Sequence, residues 1–148
     1  MNTREVGVAD LDRLVALLEG YCDFYETAPG HEALATLARH LLANPAEGLQ
    51  LIAENPAGEA VGFATIYWTW STTCAARIGV MNDLYVTPDA RGEGIGRALL
   101  EACAERARAH GANQLGWQTA PDNHTAQRLY DAVGGRRESW LDYHLPLG

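Results

Sequence analysis

The sequence predicts a mixed α/β layer fold over residues 1–148, one domain with the element order β-α-α-β-β-β-α-β-α-β. Three observations predict it. Segments with apolar residues at helical spacing alternate with short strand-like runs. Turn-forming pairs such as Pro29-Gly30, Asn44-Pro45 and Gly134-Gly135 separate those segments. Between a strand-like run and a helical one lies Arg91-Gly92-Glu93-Gly94-Ile95-Gly96-Arg97, with three alternate glycines.

Each element follows in turn. Arg4–Ala9 alternates weakly and reads as the first strand, and Asp10 is placed to cap a helix carrying Leu11, Leu14, Val15, Leu18 and Cys22 on one face. Pro29-Gly30 ends that segment. A second helix runs over His31–Ala43, with Leu34, Leu37, Ala38, Leu41 and Leu42 apolar, until Asn44-Pro45 stops it. Gly48–Glu54 and Glu59–Ser71 are strand-like and are separated by the turn sequence Asn55-Pro56-Ala57-Gly58. Arg77–Thr87 is a further strand closed by Pro88. A long helix from Gly96 to about His110 buries Leu99, Leu100, Cys103 and Ala107, and Gly111 is its C-cap. Gln114–Thr119 is a strand, Asn123–Val133 a short helix, and Arg137–Leu145 the last strand.

Bulk properties narrow the function. With 148 residues, 47% hydrophobic and 20% charged, the chain is long enough for a real core, and disorder is excluded. The longest apolar run is far short of a membrane span, and the first twenty residues lack a signal peptide's basic start and apolar centre. Cys22, Cys74 and Cys103 are scattered and odd in number, the pattern of reduced thiols in a cytoplasmic protein. The five histidines make no metal-ligand spacing with one another or with cysteine, so no metal is expected. A net charge of −8 argues against nucleic acid as a partner. It suits a cationic substrate, although acidity also serves solubility.

The glycine run carries the chemistry. Glycines let a backbone approach a ligand closely, and a helix start offers unpaired N–H groups at the positive end of its dipole. The run is therefore an anion cradle, phosphate above all, flanked by Arg91 and Arg97. It is not the dinucleotide fingerprint, which would need glycine at position 97, and no Gly-Lys-Ser/Thr follows to make a Walker loop.

The order R-x-x-G-x-G after the extended segment Asp83–Pro88 resembles the coenzyme A pyrophosphate loop of the GCN5-related N-acetyltransferases, the GNAT superfamily. Three other segments agree with it. Asn82–Val86 with Pro88 is similar to the family's fourth strand. Gly111 followed by Gln114–Thr119 is similar to its helix end and fifth strand. Asn123-His124-Thr125-Ala126-Gln127-Arg128-Leu129-Tyr130 is similar to its N-x-x-A-x-x-x-Y segment. Tyr21, Phe24-Tyr25, Asp83-Leu84-Tyr85-Val86, Trp117 and Thr119 further resemble the small-amine, polyamine and histone-type members.

The resemblance implies a mixed, mostly antiparallel sheet with helices on both faces. It also implies acetyl-CoA as the acetyl donor for a primary amine, by direct attack. It places the donor's contacts on Leu84, Tyr85, Val86, Arg91, Gly92, Glu93, Gly94, Ile95, Gly96, Arg97, Thr119, Asn123 and Ala126, and makes Tyr130 the general acid. Phenol and thiol proton affinities are close enough for that transfer. Acceptor contacts fall on Tyr25, Glu26 and Trp117, with a cationic small amine preferred to a protein lysine. Relatives also commonly form homodimers, for which Trp140, Leu141 and Tyr143 on the last strand are candidates.

The base departs from the family pattern. Asn82 stands where relatives often carry glutamate, and an amide takes no proton. Asp83 is next to it, on the opposite face by strand alternation. Three routes stay open: Asp83 through water, another acid such as Glu26, or an amine already partly neutral. Asp83 has an equally good reading as a fixed anchor between strand and loop. Trp68 and Trp70 read as core or sheet surface, and Arg106, Arg108 and His110 as a solvated helix face. The rival function is a module that binds acetyl-CoA without turning it over.

Overall fold

Five strands and four helices form along the apolar patterns, several of them bounded by Gly, Pro or Asn. The computed structural model describes residues 1–148, which divide into two compact units, residues 1–118 and 119–148.

The first unit holds β1 (Asn2–Glu5), α1 (Leu11–Phe24), α2 (His31–Ala43), β2 (Gly48–Glu54), β3 (Ala60–Ser71), β4 (Ala76–Val86), α3 (Ile95–Ala109) and β5 (Leu115–Gly116). The sheet order is β1-β2-β3-β4-β5. The first four strands pair antiparallel, and β5 joins β4 in parallel, as the α3 crossover requires. The α/β class and the mostly antiparallel sheet are those expected.

Alternation along β3 gives the sheet two cores. Phe63 and Ile52 are fully buried against Leu14, Val15 and Leu18 of α1 and Leu34 and Ala38 of α2. The neighbouring residue Gly62 faces the other way, where a Cβ would lie 3.1 Å from Leu99 Cδ1 and 3.4 Å from Ile95 Cγ2 of α3. Helices therefore cover both faces, each burying one apolar stripe.

The sheet's start differs from the sequence reading. β1 covers 2–5 rather than 4–9, because Val8–Asp10 turn into a short 3-10 segment. Asp10 occupies the cap position of α1, yet its carboxylate does other work. It accepts the Gly7 N–H at 2.8 Å and binds the guanidinium groups of Arg4 and Arg13, which also hold Glu54. Those partners keep the Asp10 carboxyl well below the usual carboxylate range. The network ties the N-terminal strand, α1 and β2 together.

The second unit centres on α4 (His124–Ala132). Asn123 caps it, its side-chain oxygen accepting the Ala126 N–H at 3.2 Å. Gly134, at φ +86°, ends it with the Gly135 N–H bonded to the Tyr130 carbonyl at 2.9 Å. Arg137 forms two hydrogen bonds to Asp131, at 2.6 and 3.1 Å, after the helix end. The expected last strand over Arg137–Leu145 is not formed. An apolar alternation becomes a strand only where a ladder partner takes up its backbone groups, and the sheet's pairings include none of these residues. Trp140, Leu141, Tyr143, Leu145 and Leu147 are instead 80–93% exposed.

Candidate active site

Strand β4 organises the site by presenting two different edges. Toward β3 it is laddered on both sides of one bulge: Thr87 donates to the Val61 carbonyl at 2.9 Å, and Tyr85 lies opposite Phe63. Alternation then turns the backbone groups of Leu84 and Val86 away from β3. On that side the ladder to β5 is only two pairs long, Gly79↔Leu115 and Val80↔Gly116. The expected strand over 114–119 thus shrinks to 115–116, and the strands part just before the residues assigned to the donor. Val86 offers its carbonyl outward and Arg91 Nε donates to it at 3.0 Å.

β4 leads through a 3-10 turn, Pro88–Ala90, into the glycine loop. Gly92 and Gly94 have φ of +84° and +80°, and a Cβ at either would meet nothing within 4 Å. Gly94 caps α3 with no side chain, and the first N–H to bond back is that of Ala98, to the Gly94 carbonyl at 3.0 Å. The N–H groups of Ile95, Gly96 and Arg97 therefore have no carbonyl of their own helix. Open N–H groups at a helix start can cradle an anion, which is the use the spacing predicts. Ile95 itself is buried and anchors the loop on the sheet, while Glu93 is exposed and can contribute only its backbone to an anion.

The flanking arginines do not act alike. Arg97 is turned along the helix to Glu101, at 2.8 Å. Arg91 lies over the rings of Phe24 and Tyr85, 5.8 and 5.9 Å from their centroids. It thereby joins the glycine loop to the end of α1, a role for Arg91 and Phe24 that sequence reasoning missed.

Tyr85 also turns its ring to α1. A Cβ at Gly20 would lie 2.7 Å from its hydroxyl oxygen, so the helix carries glycine where that ring approaches. The Tyr85 backbone groups belong to the β3 ladder opposite Phe63. Of the three β4 residues assigned to the donor, only Leu84 and Val86 therefore turn their backbone to the open edge. The Tyr85 ring joins Tyr21 and Phe63 at centroid distances of 6.2 and 6.1 Å, and Tyr21 continues to Tyr25 at 4.9 Å.

A β-bulge sets the acidic group. The β3–β4 register pairs Thr65 with Asp83 and Ile66 with Met81, leaving Asn82 unopposed. The bulge breaks the alternation that would put Asn82 and Asp83 on opposite faces. Asn82 Nδ2 accordingly donates to Asp83 Oδ1 at 3.1 Å. Asp83 is half-buried on the α1 side. Burial pushes its carboxyl up, opposed by hydrogen bonding from Thr65, Tyr21 and Asn82. Burial and the Asp83 charge raise both Tyr21 and Tyr67, and Tyr25 adds to the effect on Tyr21.

Tyr25, half-exposed, and Glu26 end α1 beside this group. Glu26 has φ +57°, left-handed for a non-glycine residue, in a turn closed by Thr27 N–H to the Cys22 carbonyl at 2.9 Å. Trp117 follows β5 and is partly buried. In the second unit Thr119 and Tyr130 are partly buried, and Asn123 spends its carbonyl oxygen on Ala126.

The remaining candidates are structural. Trp68 is buried and stacks on His110 at 4.1 Å, and Arg106 binds Glu5 at 2.8 Å. Burial pushes the Cys103 thiol up to about 12, so it stays protonated. No group of His, Cys, Asp and Glu in the structure could hold a metal ion, and no helix is long and apolar enough to cross a membrane.

Known proteins share both sequence and architecture with this chain. Residues 14–134 match the profile of the acetyltransferase (GNAT) family. The uncharacterized N-acetyltransferase YhfO of Bacillus subtilis (strain 168) is 36% identical over 134 residues, 90% of this chain and 89% of that protein. The D-amino-acid N-acetyltransferase HPA3 of Saccharomyces cerevisiae is 33% identical, covering 84% of this chain and 78% of the relative. An L-methionine sulfoximine/L-methionine sulfone acetyltransferase of Pseudomonas aeruginosa is 37% identical, covering 77% and 67%. The crystal structure of a probable acetyltransferase superposes with a TM-score of 0.88 at 26% identity, covering 100% of this chain and 99% of that one. Aminoglycoside N-acetyltransferase AAC(6')-Iy in complex with CoA shares the fold, with a TM-score of 0.86 at 18% identity over 98% of this chain and 93% of that one.

Proposed function

The chain is a member of the acetyltransferase (GNAT) family, an acyltransferase, and from that premise we propose that it moves the acetyl group of acetyl-CoA onto the primary amine of a small cationic molecule. One observation carries the reading. The outward backbone edge of β4 at Leu84 and Val86 runs directly into the open N–H cradle of Gly92–Arg97. An extended thioester arm fits the first, and a pyrophosphate fits the second.

Backbone N–H groups along that edge also suit the oxygen of the thioester carbonyl, where negative charge develops on attack. The neutral amine nitrogen bonds to the carbonyl carbon, the carbon–sulfur bond breaks, and the nitrogen loses its second proton to solvent. The thiolate takes a proton, for which Tyr130, reprotonated from solvent, is our candidate donor. Thr119, Asn123 and Ala126 are proposed to meet the donor arm. An ammonium must first lose its proton, at a cost of roughly 4–5 kcal/mol near neutral pH. A carboxyl raised by burial, as at Asp83, takes that proton through water more readily than an ordinary one.

The acceptor is proposed to lie on the α1 side of β4, among Tyr25, Glu26 and Trp117, where acidity and aromatic rings suit a cation. Two relatives are named for amino-acid acceptors, which favours a small amine over a polypeptide. The three free cysteines favour the cytoplasm. The five exposed apolar side chains within Trp140–Leu147 favour pairing with a second copy of the chain.

The test is release of free coenzyme A from acetyl-CoA across polyamines, amino acids, aminoglycosides and a lysine-rich peptide. Turnover with one small-amine class is the expected result. Acetyl-CoA bound tightly without turnover on any amine would overturn the proposal in favour of a binding module.

A further inference from the structure

Three polar side chains occupy adjacent register positions across the middle of the sheet. Gln50 of β2 pairs with Thr65 of β3, and Thr65 pairs with Asp83 of β4. Gln50 is 5% exposed and Thr65 not at all. Buried polar groups cost stability unless they are hydrogen-bonded, and valine would fill the Thr65 site at the same volume. Their placement at three adjacent register positions needs a reason beyond packing.

The hydrogen-bond directions supply one. Gln50 Nε2 donates to Thr65 Oγ1 at 3.1 Å. A hydroxyl oxygen occupied as an acceptor keeps its own proton for a further partner. The acceptor directly opposite is the Asp83 carboxylate, and Thr65 is among the groups that favour its charged form. The row therefore runs Gln50 to Thr65 to Asp83, with Gln50 donating to Thr65 and the Thr65 hydroxyl left to its register partner Asp83. Thr65 is also the last residue in register before the bulge at Asn82, so the row ends where β4 changes its alternation.

The groups facing Asp83 are Tyr21 of α1 with Tyr25 beyond it, Tyr67 and Thr65 of β3, and Asn82 of β4. None of these side chains is a cation. The carboxylate is held by hydrogen bonds and left without a countercharge, half-open to solvent. A site that fixes a carboxylate and withholds a cation is complementary to a cationic ligand.

We propose, on the acetyltransferase reading above, that Thr65 is a positioning residue, braced by Gln50, that aims the Asp83 carboxylate at the acceptor's amine. Thr65 touches no substrate and acts only through Asp83. The substitution Thr65→Val keeps the volume and removes the donor, Thr65→Ser restores the donor, and Gln50→Met removes the brace while leaving Thr65 intact.

Two readouts decide it. Carbon-13 NMR titration follows the Asp83 carboxyl directly, with Asp83→Asn assigning the signal. Steady-state kinetics with the best amine of the panel separate the KM for amine from the KM for acetyl-CoA. Thr65→Val is expected to move the titration to higher pH and raise the amine KM about tenfold, the size of one hydrogen bond to a charged group, with the acetyl-CoA KM unchanged. Thr65→Ser should restore both values, and Gln50→Met should shift both in the same direction by less. An Asp83 titration identical in Thr65→Val and the unsubstituted protein would overturn the proposal, as would equal increases in both KM values. Activity retained in full by Asp83→Asn would overturn it too, leaving acetyl transfer itself standing. If no amine supports turnover, the acetyltransferase reading fails and the aim at an amine fails with it, whatever the titration shows about the clamp.

Discussion

Replacing Gly94 by alanine separates the backbone cost of the loop from its ligand role, because the molecule contains a matched control. Gly94 has φ +80° and Gly58, in the turn between β2 and β3, has φ +82°. A Cβ at either position would meet nothing within 4 Å, so neither substitution creates a clash. Both place an L-residue in left-handed backbone, at about 1–2 kcal/mol. For 148 residues the unfolding entropy makes each kcal/mol worth about 3 °C, so both variants should melt roughly 3–6 °C lower. Only at Gly94 does the new methyl stand beside the first N–H groups of α3. There it would crowd a pyrophosphate, and a loss of one charge-assisted hydrogen bond weakens binding about tenfold or more. Calorimetric titration with coenzyme A and thermal melts of Gly94→Ala and Gly58→Ala measure the two effects independently. Equal coenzyme A affinity in the two variants would refute the cradle, since the backbone cost is the same in both. Unchanged melting in both would refute the strain argument.

Three further outcomes are expected. Tyr130→Phe should lower turnover by about 100-fold with coenzyme A affinity within a factor of two, as loss of a general acid does, and a uniform loss of both would point to packing instead. Asp83→Asn should lower activity yet melt higher than the unsubstituted protein at pH 7. Burial raises this carboxyl above its unfolded value, so ionised Asp83 costs stability above its folded pKa, and the cost vanishes as pH falls below the unfolded value. Melting curves at pH 7 and in the acid range check the sign, and a lower melting point at pH 7 would contradict it. Glu26→Gly should gain about 1 kcal/mol, near 3 °C, by relieving φ +57°, while raising the amine KM if the carboxylate meets the acceptor. A gain in stability with an unchanged KM would leave Glu26 outside the acceptor site.

Local rules carried the sequence reading a long way and failed where the information was not local. α2 and β2 begin and end at the expected residues, since Gly30, Asn44 and Pro45 punctuate them and their apolar spacing is unambiguous. The glycine loop was legible because the left-handed positions at Gly92 and Gly94 demand that residue type. The last strand failed for the opposite reason. Leu141, Tyr143, Leu145 and Leu147 alternate as a strand does, but alternation describes a strand's faces, and a ladder needs a partner at its edge. β5 shrank on the same account, its partner edge on β4 ending at Val80. Thr65 and Gln50 went unread inside strands that look uniformly apolar. Their signal was a hydroxyl and an amide where valine and leucine would have packed as well.

The bulge at Asn82 is the feature that lets one strand serve two ends. An unbroken β4 would keep strict alternation from Ala76 to Val86, and Asn82 and Asp83 would then point to opposite faces. With the extra residue, β4 stays laddered to β3 on both sides of the break while its backbone edge beyond Val80 is released from β5. The strand offers backbone groups in its own plane and a carboxylate on the α1 face, within the five residues from Asn82 to Val86. Substituents on a strand's side chains and groups paired to its edge meet at right angles, so a thioester laid along the edge and an amine held on the face approach from different directions. An attacking nitrogen must reach the carbonyl carbon from above its plane rather than along it. The bulge therefore matters more to the proposed chemistry than the identity of Asn82. Holding Asn82 in the ladder opposite Thr65, with no bulge, would move Asp83 onto the α3 face and separate the two ends.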